Sequence, residues 1–297
     1  MSDVDRLTEQ AALLALLRDR KSGWAQIADD VESCGSAYKV LIAEPAGQGD
    51  LFAGSPTVAE KLDASRVAIG TWHSEGMQLV TLLDEDYPAQ LLTIHERPPF
   101  LFFRGRLDPR DGFGVAVVGT RRPSPDGVRR AEEIAAGLAA RGTTVISGLA
   151  AGIDTAAHTS ALDAGGRTVA VIGTGISRAY PPENAQLQRR LGDEHLVLSQ
   201  FWPDAAPTRH SFPMRNAVMS GYAAATVVIE AAYRSGARMQ ARMALEHGRP
   251  VFLLRSLLAH DWARDYAQRP GTVVVDGLDD VLTALDQVLA PVELVWE

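Results

Sequence analysis

Apolar residues recur along this chain in two rhythms, and the change between them divides it. From residue 5 to 44 they follow a helical period; in LTEQAALLALLRD they return every three or four residues, which predicts an amphipathic helix with other short helices after it. EPAGQGDLFAGSP then interrupts with Gly and Pro, and TVAEKLDASRVAIGTWHSEG predicts a further helix or two. MQLVTLLDEDYPAQLLTIHERPPFLFFRG reads by its punctuation as a strand, a Tyr-Pro turn, a short helix and a second strand. Beyond it come short continuous apolar runs: GVAVVGT, TTVISGLA, TVAVIGTG, HLVLSQF, ATVVIEAA, PVFLL and TVVV. Helical segments separate most of them, as in DGVRRAEEIAAGLAARG, where Val128, Ala131, Ile134, Ala135 and Leu138 share one face. Strands apolar at every position are buried on both faces, so the pattern predicts an α/β fold, a mostly parallel sheet with helices on both sides. A small helical N-terminal module, residues 1–77, precedes the sheet-bearing domain, residues 78–297.

Charge and composition narrow the function. The formal net charge is −8, from 29 Lys+Arg against 37 Asp+Glu, which opposes whole-surface nucleic-acid binding while leaving room for a local basic site. The lysines are Lys21, Lys39 and Lys61, so every fixed cation further along is an arginine, the side chain whose planar fork fits phosphate oxygens and stacks on flat rings. One cysteine, Cys34, rules out an internal disulfide and a cysteine zinc cluster, and reads as a small buried hydrophobe. The charged start MSDVDRLTEQ is unlike a signal peptide, and no run of 18 apolar residues occurs, so a cytoplasmic protein without a membrane span is expected.

In open parallel sheets ligands sit beyond the carboxyl ends of the strands. Three strand-to-helix turns there carry glycine: GTRRPSPDG, SGLAAGID and GTGISRAYPPEN. None matches a dinucleotide fingerprint, since Arg121 and Arg178 stand where further glycines belong, and no Gly-Lys dipeptide supports a Walker loop. No nucleotide cofactor or metal is expected. The first turn offers Gly119, Thr120 and Arg121 beside the N-terminus of the helix that starts near Asp126, a place suited to a phosphate. Its neighbour Arg122 is expected to pair with a surface carboxylate. In the second turn Gly148 and Gly152 permit a sharp bend, Asp154 is placed to cap the next helix, and His158 follows one turn on. Asp154 and His158 are read as a structural pair that fixes the loop, with half of an acid–base pair as the rival reading. RHSFPMRNAVMSG supplies Phe212, Arg215 and Asn216, the cation, amide and flat ring that single-stranded nucleic acid asks for. YRSGARMQARMALEHGRP places Arg234, Arg238 and Arg242 four apart, on one face of a helix or its entry.

Taken together, DEDYPAQL, PPFLFFRG, VVGTRRPSPDG, VISGLAAGIDTAAHTSAL, TVAVIGTGISRAYPPEN, LVLSQF, FPMRNAVMSG, VVIEAAYRSGAR and ALEHGRPVF resemble, in order, the motifs of the DNA-processing protein A family (DprA, also called Smf) over residues 84 to about 253. The resemblance implies an extended Rossmann-like domain, without catalytic activity, that binds single-stranded DNA as a homodimer and helps to load the recombinase RecA in natural transformation. It implies DNA-binding roles for Gly119, Thr120, Arg121, Phe212, Arg215, Asn216, Ser235, Gly236 and Arg238, and loop-structuring roles for Gly148, Gly152, Asp154, His158, Tyr180 and Asn184. The chain departs from the family at Ala217, where a second arginine is usual, and at Pro182, often basic; both changes are expected to remove charge from the site. Ser199-Gln200, Ser235-Gly236-Ala237 and LLRSLL are further departures, and the winged-helix domain of some relatives is expected to be missing. The rival expectation is a sensor or hydrolase of nucleotide-derived small molecules on the same scaffold. The Gly-Gly-x-Gly-Thr turn of cytokinin-activating enzymes is absent, which weighs against hydrolysis.

Overall fold

The computed structural model describes residues 3–19, 23–43 and 56–290; the Gly/Pro break expected at 44–56 lies, except for Pro56, outside the described residues. The chain forms two compact units, Met1–Arg104 and Gly105–Glu297. The module boundary expected at 77/78 falls inside the first of them.

The first unit holds α1 (Asp3–Asp19), α2 (Trp24–Cys34), α3 (Ala37–Ala43) and α4 (Val58–Ser74), then strands β1 (Gln78–Thr81) and β2 (Phe100–Gly105). α1 is more deeply enclosed than an amphipathic helix. Ala11, Ala12, Leu13, Leu14 and Leu16 are fully buried, because α3 and α4 both pack on it. α4 begins with a reciprocal cap: the Glu60 amide donates to Thr57 Oγ1 at 3.2 Å and the Thr57 amide to Glu60 Oε2 at 2.7 Å. β1 and β2 pair antiparallel, Gln78 opposite Phe103 and Thr81 opposite Phe100, with the expected Tyr-Pro turn and a 3-10 turn at Ala89–Thr93 between them. Cys34 is exposed, contrary to expectation, since it ends α2 on the solvent side.

The second unit contains β3 (Val115–Val118), α5 (Pro125–Ala140), β4 (Val145–Ser147), α6 (Ile153–Asp163), β5 (Thr168–Val171), α7 (Ala185–Glu194) and β6 (Leu196–Ser199). It continues with α8 (Ser211–Tyr222), β7 (Ala225–Val228), α9 (Gly236–Glu246), β8 (Val251–Leu254), α10 (Asp261–Ala267), β9 (Thr272–Val275) and α11 (Leu278–Leu289). All seven apolar runs are strands, and they lie parallel in the order β6-β5-β4-β3-β7-β8-β9. Every residue of the first six is buried, as strands covered on both faces require. α5 packs on α6 and α8 on α9.

The order reverses once. From β3 the chain moves outward through β4, β5 and β6, then returns to lay β7 on the other side of β3. Crossovers of one hand on either side of such a point place their helices on opposite faces and part the loops above it, leaving a crevice at the carboxyl ends. At the amino end the sheet is clamped by the fully buried Asp111, whose carboxylate accepts from Thr144 Oγ1 (3.0 Å), Arg167 Nε (2.6 Å) and Tyr222 Oη (3.0 Å). With every oxygen engaged, a buried charge becomes tolerable there.

Candidate nucleic-acid interface

A cavity of about 410 Å³ opens where β3 and β7 part, between the turn Gly119–Arg122 and residues 232–237. Backbone geometry builds its first wall. The Thr120 amide donates to the Glu230 carbonyl at 2.7 Å, and the Arg122 amide to Thr120 Oγ1 at 3.3 Å. Ser124 caps α5 by accepting from the Gly127 amide, and its own amide and hydroxyl donate to the Glu230 carboxylate at 3.0 and 2.8 Å. The carboxylate nearest the turn is thereby spent on holding the loop. Arg121, Arg122 and Arg234 line the cavity and make no ion pair among the described residues, so the surface partner expected for Arg122 is not found there. Arg121 lies over the Phe212 ring, 5.2 Å from its centroid.

Arg215 reaches the same cavity but is only 6% exposed. Its guanidinium donates to the carbonyls of Gly148 and Val171, the latter at 2.8 Å, and its Nε to Asn216 Oδ1 at 3.0 Å. These carbonyls end β4 and β5, so Arg215 ties two strand ends to α8. Burial lowers its pKa, and the charge of Asp154 opposes that shift. Asn216 extends the tie by donating to the Gly236 carbonyl at 3.1 Å, which fixes the start of α9 against α8. The Arg-Asn dipeptide thus frames the cavity.

The β4–α6 turn shows why glycine stands where it does. A Cβ on Gly148 would overlap the Arg215 guanidinium, and Gly152, at φ 86°, has the Thr120 carbonyl 2.5 Å from where a Cβ would sit. Between them Leu149 takes the left-handed conformation at φ 56°, a strain of about 1–3 kcal/mol in a non-glycine residue. The bend aims the Gly148 and Ala150 amides at Asp154 Oδ2, at 3.2 and 3.3 Å. Asp154 therefore does not cap α6, whose cap Gly152 makes no side-chain bond. Burial raises the Asp154 pKa, against the pull of Arg215 and the two amides.

His158 does not meet Asp154. Its Nδ1 bonds Thr168 Oγ1 at 2.7 Å, and Thr168 Oγ1 in turn donates to the Val145 carbonyl at 2.7 Å. Since the hydroxyl proton is used on that carbonyl, the Thr168 oxygen is left to accept from Nδ1. Burial and the nearby Arg215 lower the His158 pKa to about 3. Both the structural pair and the acid–base pair are overturned, because the strained turn points Asp154 at backbone amides and α6 points His158 at β5. Asn184 structures the loop by donating to the Leu149 carbonyl and Thr155 Oγ1, each at 2.9 Å. Ser147 Oγ donates to the Val117 carbonyl at 2.7 Å and is fully buried, a tie between strands.

Tyr180 holds no loop by hydrogen bonding among the described residues. It is 39% exposed, with its ring 5.6 Å from that of Phe212 at 44°. The two rings border a second cavity of about 200 Å³, which Arg121, Arg215, Gly173 and Glu183 also line. Arg121 and Phe212 touch both cavities. Ser235 caps α9 by accepting from the Arg238 amide at 3.2 Å, and Gly236 lines the main cavity. Arg238 turns away, its guanidinium 4.2 Å from the Tyr233 centroid, over a shallow surface that Arg234, Arg242 and Tyr266 share. α9 begins at Gly236, so Arg234 precedes the helix, and Arg242 pairs with Glu246 at 2.8 Å. The roles of Arg234 and Glu183 were beyond periodicity, because Arg234 sits in a turn and Glu183 in a single 3-10 turn, Pro182–Asn184, too short to show a period. Ala217 is 1% exposed beside Asn216 of the main cavity, and Pro182 lies between Pro181 and Glu183, which both line the second.

Comparison with known proteins agrees with this geometry. The family model described as DNA recombination-mediator protein A matches residues 78–285. The DNA processing protein DprA of Streptococcus pneumoniae is 40% identical over 200 residues, 67% of this chain and 65% of that protein. The chain spans roughly three fifths of the length of such curated relatives, 59% in the Smf protein of Synechocystis. The X-ray structure of the Streptococcus pneumoniae protein superposes with a TM-score of 0.65 at 33% identity, covering 93% of both chains. A structure of DNA processing protein A from Helicobacter pylori, described for its single-stranded DNA binding mode, gives 0.62 at 25% identity over 71% of this chain and 96% of that one. The nine-strand, mostly parallel architecture, the Gly-Thr-Arg turn over the sheet reversal and the matched sequence lead to one assignment: this chain belongs to the DNA recombination-mediator protein A family.

Proposed function

We propose that this chain binds single-stranded DNA across the carboxyl edge of its parallel sheet and acts in DNA processing and recombination without bond-making chemistry of its own. The observation that carries the reading is the cavity at the sheet reversal, where Arg121, Arg122 and Arg234 stand without carboxylate partners among the described residues, beside the ring pair of exposed Tyr180 and half-buried Phe212. Cations for phosphates next to rings for unstacked bases are what a single strand offers contacts to and a duplex conceals. A hydrolase of nucleotide-like molecules needs a free general base. In the main cavity the one lining carboxylate, Asp154, is buried and occupied by loop amides, so that cavity supplies none.

The family resemblance supports a cytoplasmic location, a homodimer and delivery of the strand to RecA as parts of the same proposal. Of the large apolar residues on α9 that a dimer could use, Met243 is buried within the domain while Met239 and Leu245 are half-buried. Titration of a fluorescent 20-nucleotide single strand and of its duplex at 0.15 M salt tests the reading. The single strand binds at least tenfold tighter; equal affinity for the two, or binding to neither, overturns it.

A further inference from the structure

The second cavity differs from the first in one chemical respect. Glu183 lines a space bordered by Tyr180, Phe212, Gly173 and Arg121, and among the described residues its carboxylate has no hydrogen-bond or ion-pair partner. At about 200 Å³ the space holds one planar base and little more. The Tyr180 and Phe212 rings already touch, at 5.6 Å, so a base cannot enter between them and must lie against the tilted pair. Arg121 covers Phe212 from the side shared with the main cavity, where the strand's phosphate belongs. A nucleotide whose phosphate sits at Arg121 therefore has its base within reach of the second cavity and of Glu183.

We propose that Glu183 makes this cavity a base-selective subsite that favours guanine and disfavours thymine; the inference rests on the single-strand reading above. An ionised carboxylate only accepts hydrogen bonds. Guanine presents two adjacent donors, N1–H and N2–H, to its two oxygens, and paired charge-assisted bonds of that kind are the strong ones. Cytosine and adenine present one amino group each. Thymine presents a single N–H flanked by two carbonyl oxygens, which meet the carboxylate as like partial charges. Bidentate base contacts are worth about 1–3 kcal/mol of discrimination, and solvent access to Glu183 puts the effect at the low end, roughly fivefold.

The experiment compares (dT-dG)10, (dT-dI)10 and dT20 by competition. In the wild type (dT-dG)10 binds about fivefold tighter than dT20, with (dT-dI)10 between them because inosine keeps N1–H and lacks the amino group. In Glu183→Gln the preference narrows below twofold, as the amide offers one acceptor and one donor; circular dichroism confirms that the variant is folded. Arg121→Ala weakens all three strands by a similar factor and preserves their ratio, which separates the phosphate contact from the base contact. Equal wild-type affinities, or a preference that survives Glu183→Gln, overturn the inference while leaving single-strand binding intact. Failure of every strand to bind overturns both.

Discussion

Arg121 and Arg215 reach the same cavity, and their surroundings give them opposite work. Arg121 has a ring contact and, among the described residues, no side-chain hydrogen-bond partner, whereas Arg215 is closed in by two carbonyls and Asn216. If three or four phosphates are neutralised, log affinity falls against log salt with a slope of roughly −2 to −3, about 0.7 per contact. Arg121→Ala flattens the slope by about 0.7 for every sequence alike, and Arg121→Lys recovers part of the affinity by restoring charge without the fork. Because Arg122 has no carboxylate partner, Arg122→Ala also flattens it. Salt titrations of the three variants check this, and an unchanged slope in Arg121→Ala removes the turn from the site. Arg215→Ala leaves two buried carbonyls without their donor and removes the cation near buried Asp154, so its first effect is on folding, about 3–5 kcal/mol. The residues of the site were legible in the sequence through turn and motif. Their division into ligand contacts and framework was not, since that depends on which carbonyls converge on a side chain from 44 and 67 positions away.

At the scale of elements, periodicity located all seven parallel strands and the helix α5, because continuous apolar runs and a helical stripe are burial written directly into sequence. It did not reveal where the strand order reverses, since the run of β7 looks like any other; that point places the cavity. Nor did it reveal the tie that His158 makes between α6, β5 and β4. This tie sets a pH dependence. The folded-state pKa of His158, about 3, lies below the ordinary value of 6.5, so the unfolded chain binds this proton first. The contribution to stability is complete above pH 6.5 and is lost as pH falls toward 3, at up to about 1.4 kcal/mol per pH unit. Between pH 6.5 and 4.5 the wild type loses about 2 kcal/mol through this group. His158→Leu, which keeps the Thr168–Val145 bond, loses that much less over the same interval. Urea midpoints followed by circular dichroism give the comparison, and parallel pH profiles for the two proteins exclude the role assigned to His158.

For the whole molecule, a net charge of −8 has to coexist with the polyanion site proposed above. It does so in part because several arginines elsewhere are matched to carboxylates: Arg97 with Asp29 and Glu32, Arg141 with Asp286, Arg190 with Glu194, Arg255 with Asp276. Three unmatched arginines at one cavity then dominate the local potential against an acidic background. Which of the two a strand feels depends on screening. At 0.15 M salt the Debye length is about 8 Å, so a phosphate in the cavity responds to the arginines beside it; near 0.01 M it is about 30 Å, and the acidic surface reaches the rest of the strand. Repulsion at low salt opposes the gain from counterion release. The plot of log affinity against log salt should bend, steeper above 0.1 M than below 0.02 M. The bend should be stronger for a 30-nucleotide strand than for an 8-nucleotide one, because the short strand extends little beyond the cavity. Anisotropy titrations of both lengths from 0.01 to 0.3 M measure it, and one straight line for both strands would show that the acidic surface has no part in binding.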